Sequence, residues 1–206
     1  MLLDPARAAF LAIDLQRAFC AEDGSVARQG RDIDTCRPAA LRCVDLADRC
    51  RAAGLPVIWA RLVLRADYGD GGLLTGELRP GLARIGGLRA GTPDVELIDE
   101  IRPAPQDFVV DKPRLSVFYG SALEAILRAR RIDTLIVGGV TTSMCVETTV
   151  RDSGQRDMPT FVVRECCGDF DPKRHEAALD AIAFGFGRVI SFDQATQALA
   201  QRGGDF

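Results

Sequence analysis

Residues 134–145, TLIVGGVTTSMC, run without a charge from a β-type apolar stretch into a turn that carries a thiol. An apolar run with no polar alternation marks a strand buried on both faces, as in a parallel sheet covered by helices. Working outward, similar short runs alternate with amphipathic stretches along the chain. Residues 8–14 (AAFLAID), 55–62 (LPVIWARL), 108–111 (FVVD), 134–140, 160–164 (TFVVR) and 188–191 read as six strands. Helices are expected at 38–53, with Pro38 at its start and Gly54 behind it, and at 121–130, opened by a capping box of Ser121 and Glu124. Others are expected at 143–153, at 171–184 with Asp171 as N-cap and Pro172 at N1, and at 194–200. This alternation predicts an α/β fold, a three-layer Rossmann-like sandwich around a six-stranded parallel sheet. In such a fold ligands bind outside the carboxyl ends of the strands.

The 206 residues suit a single domain spanning 1–206. One segment, 65–91 (RADYGDGGLLTGELRPGLARIGGLRAG), is Gly-rich and far longer than an ordinary connection, and reads as a lid or interface loop. A short helix is expected after it at Thr92-Pro93. A net charge of −3 with both signs interspersed argues against nucleic acid or an anionic membrane as partner. No apolar run approaches the roughly 20 residues of a membrane span. The opening MLLDPARAAFLAIDLQ places acid before base and an Asp within its apolar run, unlike a signal peptide. Seven cysteines without a CxxC, and a single histidine, disfavour both a disulfide framework and a zinc site. The expectation is a reduced, cytoplasmic protein with no metal and no cofactor.

Three strand ends supply a carboxylate (Asp14), an ammonium (Lys112) and a thiol (Cys145). Cys145 is expected in the first turn of a helix, where free N–H groups favour a thiolate and can hold an oxyanion. A free thiol titrates near ~8.5, so it needs a neighbouring base to attack at neutral pH. The only histidine, His175, shares a helix face with Ala178, Leu179 and Ile182 and reads as structural, which leaves Asp14 as the base. Of 26 Lys and Arg residues only Lys112 and Lys173 are lysines, so a lysine at a strand end asks what a guanidinium could not do. Cys43 and Cys50 fall on one helix face with Leu46 and Ala47 and read as packing, as do Cys166 and Cys167. Cys20, beside Phe19, is placed at the pocket mouth.

The blocks IDLQRAF (13–19), DKPRLSVFYGSALEAIL (111–127) and IVGGVTTSMCVETTVRDSGQRD (136–157) resemble the three signature blocks of the isochorismatase-like cysteine hydrolase superfamily. The resemblance runs from residue 8 to about 190. It implies an amidohydrolase with a catalytic triad of Asp14, Lys112 and Cys145. It also implies a cis peptide between Val140 and Thr141, and an oxyanion hole made by the N–H groups of Thr141 and Cys145. Within the superfamily, nicotinamidases carry a histidine metal cluster after the second strand, where this chain reads WARLVLRADYGDGG with no histidine. Isochorismatases acting on a vinyl ether often lack the cysteine kept here. The chain looks most like the ureidoacrylate, biuret and N-carbamoyl amino acid branch, whose substrates are small amides, ureides and carbamoyl compounds.

Phe19, Trp59 and Tyr119 are candidate pocket walls, Gln16 a candidate polar contact, and Arg61 or Arg114 a candidate for a substrate carboxylate. Rival readings are a vinyl-ether hydrolase of the isochorismatase type and a non-catalytic protein binding a small metabolite. A dinucleotide oxidoreductase is a further rival, opposed by the absence of GxGxxG after the first strand. A thiol redox protein is another, with Cys166 or Cys167 as the resolving thiol. The resemblance further implies a homodimer or homotetramer in which segment 65–91 completes a neighbour's pocket.

Overall fold

The alternating side-chain direction along the uniformly apolar first strand fixes the layering. In the computed structural model, which describes residues 5–200, β1 (Ala8–Ile13) is buried from end to end. The opening MLLD and residues 201–206 of the expected 1–206 domain lie outside the described residues. Successive side chains of a strand point to opposite faces. Ala8, Phe10 and Ala12 therefore enter one core layer with α1 (Arg17–Cys20), α2 (Cys36–Ala52) and α7 (Phe192–Ala200). Ala9, Leu11 and Ile13 enter the other, with α4 (Leu123–Arg130), α5 (Glu147–Gly154) and α6 (Pro172–Gly185).

Around β1 the sheet is completed by β2 (Val57–Leu62), β3 (Phe108–Lys112), β4 (Thr134–Val140), β5 (Thr160–Gly168) and β6 (Arg188–Ile190). The six strands lie in the order β3-β2-β1-β4-β5-β6, and every pairing is parallel. The three-layer α/β sandwich read from the sequence is the fold observed. The chain winds outward in both directions from the β1/β4 pair, which makes the carboxyl ends of those strands the topological switch point where a crevice opens. Asp14 follows β1 directly and Thr141 follows β4.

Several elements differ from the expected spans. β5 runs four residues beyond Arg164, because Arg164 and Glu165 find partners at its edge: Arg164 bonds Glu176, and Glu165 accepts the Phe192 N–H. α2 starts at Cys36, so Pro38 stands in the first turn, where its missing N–H costs nothing. α4 starts at Leu123; Ser121 accepts the Leu123 N–H, but Glu124 reaches across to Arg156 rather than closing a capping box. At α6, Asp171 accepts the N–H groups of Lys173 and Arg174 with Pro172 behind it, the cap and N1 read from the sequence.

Segment 65–91 is built rather than featureless. It holds a π-helical turn at Leu74–Leu78 and a short helix, α3 (Pro80–Arg84). Both ends are tied down: Leu64 N–H bonds Leu88 O, Ala90 N–H bonds Leu64 O, and Asp94 accepts the Leu88 N–H. No helix among the described residues is long and apolar enough to cross a membrane.

Candidate active site

Asp14 terminates β1 with φ +58°, a left-handed conformation that side-chain-bearing residues adopt at some energetic cost. Its N–H is held by Ala60 O at 2.8 Å, which fixes the turn against β2. The carboxylate thereby points into the crevice, fully buried. Lys112, the last residue of β3, reaches it from two strands away: Nζ donates to Asp14 Oδ2 at 2.8 Å and to Arg114 O at 3.1 Å. Asp14 Oδ1 is buried with no hydrogen-bond partner. The remaining group of the cluster is the Cys145 thiol, which couples electrostatically to both Asp14 and Lys112.

The three groups shift one another. Burial raises the Asp14 pKa above that of an ordinary carboxyl, against the pull of the Lys112 charge. Burial alone would lower Lys112, but the negative charges of Asp14 and Cys145 outweigh it and hold the ammonium above its usual range. Cys145 is pushed up by burial and by Asp14, with Lys112 opposing. This corrects the expectation of a thiolate stabilised by a helix N-terminus. Cys145 lies in a π-helical turn, Thr142–Val146, and the regular helix begins only at Glu147. The neighbouring Ser143 N–H is already bonded to Asp169 at 2.7 Å. The thiol therefore depends on a base, and the orphan oxygen of Asp14 is the acceptor available.

The turn into Cys145 requires close backbone approach. The Val140–Thr141 peptide is cis. Gly139 has φ +145°, and a Cβ there would stand 2.3 Å from Ile13 O. Thr142 Oγ1 donates to Gly168 O at 3.0 Å, which leaves His175 Nδ1, 2.8 Å away, as the donor to that oxygen. Burial lowers the His175 pKa. His175 thus buttresses the Cys145 turn as a neutral side chain and stands outside the cluster.

A cavity of about 60 Å³ opens on Cys145 and Thr141. Phe19 lines it, in the place read from the sequence. Four other expected contacts do not. Gln16 is buried and committed to the backbone, donating to Leu62 O and Val95 O and accepting from Leu62 N–H. Trp59 is packed in the core with its Nε1–H on Asp107. Arg61 forks onto Asp111 and reaches Glu96. Tyr119 is 62% exposed, outside the cavity, with the Arg114 guanidinium over its ring. Arg114 itself donates to the carbonyls of Asp70 and Pro113. Cys20 faces a different cleft, beside Arg37.

The sequence reading missed much of the wall. Leu74, Arg79, Leu82 and Leu88, all from segment 65–91, close over the chain's own cavity, and Met144 and Phe170 complete its apolar lining. Asp169 was also missed because β5 was read as ending too early. Buried at the true strand end, it accepts the Ser143 and Phe170 N–H groups and so ties the Cys145 turn to β5. Among the described residues no group of three or more His, Cys, Asp or Glu could hold a metal ion.

Residues 8–194 match the model of the isochorismatase domain family. The chain is 34% identical over 200 residues to ureidoacrylate amidohydrolase RutB of Methylobacterium radiotolerans, covering 91% of this chain and 77% of that protein. Among solved structures, a cysteine hydrolase from Pseudomonas syringae superposes with TM-score 0.87 at 28% identity, over 97% of this chain and 95% of that one. An N-carbamoylsarcosine amidase from Thermoplasma acidophilum superposes with TM-score 0.71 at 25% identity, over 91% and 97% of the two chains.

Proposed function

The chain belongs to the isochorismatase domain family, and from that premise we propose that it is a cysteine amidohydrolase cleaving a non-peptide C–N bond of a small amide, ureido or N-carbamoyl compound. The relatives named as acting on ureidoacrylate and N-carbamoylsarcosine support this class of substrate. The observation that carries the reading is the buried Asp14–Lys112 pair coupled to Cys145 at the switch point of the sheet.

In the proposed cycle Asp14 Oδ1 accepts the Cys145 proton as the sulfur attacks the substrate carbonyl carbon. The C–S bond forms, and the N–H groups of Thr141 and Cys145 receive the oxyanion. The C–N bond then breaks, and Asp14 returns the proton to the leaving nitrogen. The free carboxylate next takes a proton from water, whose oxygen attacks the thioester or thiocarbamate. C–S cleavage releases the acid, and the proton on Asp14 restores the thiol. A carbamate released from a carbamoyl substrate decays to carbon dioxide and ammonia. Throughout, Lys112 holds Asp14 ionised and offsets the charge on sulfur.

Segment 65–91 serves as the lid of this one-domain enzyme. Seven unpaired cysteines support a reducing, cytoplasmic setting, and a homodimer or homotetramer is the assembly proposed. A screen of ammonia release over small amides, ureides and carbamoyl amino acids tests the reading. Turnover by the parent enzyme, loss of it in Cys145→Ala, and an acyl-enzyme mass increment on Cys145 are expected. A protein that binds such compounds without acylation or turnover would be the non-catalytic metabolite binder instead.

A further inference from the structure

The cavity over Cys145 carries two positive charges and no negative one. Arg31 and Arg79 both line it, and no Asp or Glu does. Several arginines elsewhere are held by carboxylates, as in Arg17 with Asp23, Arg51 with Asp107 and Arg61 with Asp111. Among the described residues Arg31 and Arg79 have neither an ion pair nor a side-chain hydrogen bond. A nearby guanidinium, Arg174, already faces Asp169 at 3.6 Å. Burial first, then the charges of Arg31 and Arg174, lower the Arg79 pKa. Arg79 is half-buried and Arg31 exposed at the rim, and two like charges beside a largely apolar cavity favour an anion that joins them.

We propose that Arg31 and Arg79 form an anion subsite of the active site, and that the substrate is a small amide or ureide bearing a carboxylate that they hold while its carbonyl meets Cys145. The substrate half of this statement rests on the amidohydrolase reading; the subsite half rests on the cavity alone. A guanidinium fork matches the two oxygens of a carboxylate, and two such groups can share one anion. The arginines singled out from sequence cannot do this, since Arg61 is committed to Asp111 and Glu96 and Arg114 to backbone carbonyls. Arg79 comes from segment 65–91, so an anion held there also fastens that segment over the reacting groups.

The test compares two alkylating agents that differ in one charge. Iodoacetate and iodoacetamide each form a C–S bond at Cys145 with loss of iodide, and peptide mapping reads the rate at that thiol alone. The ratio of iodoacetate to iodoacetamide rates is expected to fall about tenfold or more in Arg31→Gln/Arg79→Gln, and by less in each single variant. It is expected to hold in Arg156→Gln, whose guanidinium pairs with Glu124. An unchanged ratio in the double variant overturns the subsite. A second arm measures kcat/KM for 3-ureidopropanoate against isopentylurea, its uncharged isostere. The preference for the acid is expected to fall in the same variants. Should the alkylation ratio fall while neither ureide is turned over, the subsite stands and the amidohydrolase reading of ureides fails. Turnover with an acid preference indifferent to both arginines overturns the subsite and leaves that reading intact.

Discussion

Lys112 Nζ stands 2.8 Å from Asp14 Oδ2 with neither side chain open to solvent. Removing one partner of a buried ion pair leaves the other charge uncompensated, at a cost of about 3–5 kcal/mol, whereas removing both is often nearly neutral. Lys112→Met is therefore expected to destabilise the fold by that amount, and Asp14→Asn/Lys112→Met to recover most of it while remaining inactive. Urea unfolding of the parent, Asp14→Asn, Lys112→Met and the double variant reads the cycle. A double variant no more stable than Lys112→Met would show that the two charges do not compensate each other. The fold holds the Lys112 pKa above its ordinary 10.5. Its contribution to stability is thus fully present below that pH and is lost as pH rises through the higher folded value.

The same burial sets a pH limit on activity. Asp14 must be ionised to take the thiol proton, and its pKa is raised above 3.8. The acid limb of kcat/KM should lie above that value. In Lys112→Met the limb should move higher still, since the cation that opposes the rise is gone; the pH dependence of Cys145 alkylation reports it even where turnover is too slow to follow. An acid limb at or below 3.8 in the parent enzyme would remove Asp14 from the role of base.

Gly139 makes the approach of β4 to β1 possible. A methyl group there meets Ile13 O at 2.3 Å and Ile13 Cβ at 2.7 Å, at a φ of +145° that no L side chain adopts comfortably. Gly139→Ala is expected to destabilise by about 1–3 kcal/mol or more, the scale of overpacking with backbone strain. The lost activity should exceed the fraction unfolded, because Thr141 follows two residues on. Thermal melting together with kcat of the folded fraction separates the two effects.

The layering and the three chemical groups were legible because each sits where local sequence dictates its place. The continuous apolar runs of β1 and β4 take the centre of the sheet, and the residues that follow them, Asp14 and the turn after Val140, stand at the crevice; Lys112 ends the edge strand β3 and reaches Asp14 on its long stem. The walls of the cavity were not legible, because the pleat decides them one residue at a time. Leu62 faces the cavity while its neighbour Arg61 turns out to Asp111. Gln16, just past β1, and Trp59, inside β2, are instead bonded into the core. Arg79 reaches the site only through the tertiary folding of segment 65–91, which carries no period to read.

Asp169 gives a measure of how far the Cys145 turn depends on β5. Its carboxylate, in a side chain 4% exposed as a residue, accepts the Ser143 N–H at 2.7 Å and the Phe170 N–H at 2.8 Å. Asp169→Ala orphans these donors, and each buried orphan costs about 1–3 kcal/mol. Asp169→Asn, which keeps one acceptor, should retain most of the stability. If the carboxylate positions the turn, kcat falls more than KM rises in both variants; equal stability in Ala and Asn would show that the two bonds carry little.

The two lysines provide the sharpest comparison. Both stand in a chain that otherwise uses arginine for every side-chain positive charge except histidine. Lys112 is enclosed, its ammonium bonded at once to Asp14 and to Arg114 O. An ammonium is a compact charge on a flexible stem, while a guanidinium is planar, larger and forked. With no solvent gap to accept the extra volume, an arginine must displace Asp14 or the turn of Cys145. Lys112→Arg should therefore slow acylation of the thiol by about two orders of magnitude or more, the scale of losing positioned acid–base assistance. Lys173, exposed in the first turn of α6, is held only through its backbone N–H on Asp171. Its side chain has no enclosure for a guanidinium to disturb, so Lys173→Arg should leave the acylation rate within about twofold, the range of a neutral surface change. Single-turnover acylation, followed by mass, compares the two directly. Equal rates would reduce the working cluster to Asp14 and Cys145, with Lys112 no more than a buried counter-charge.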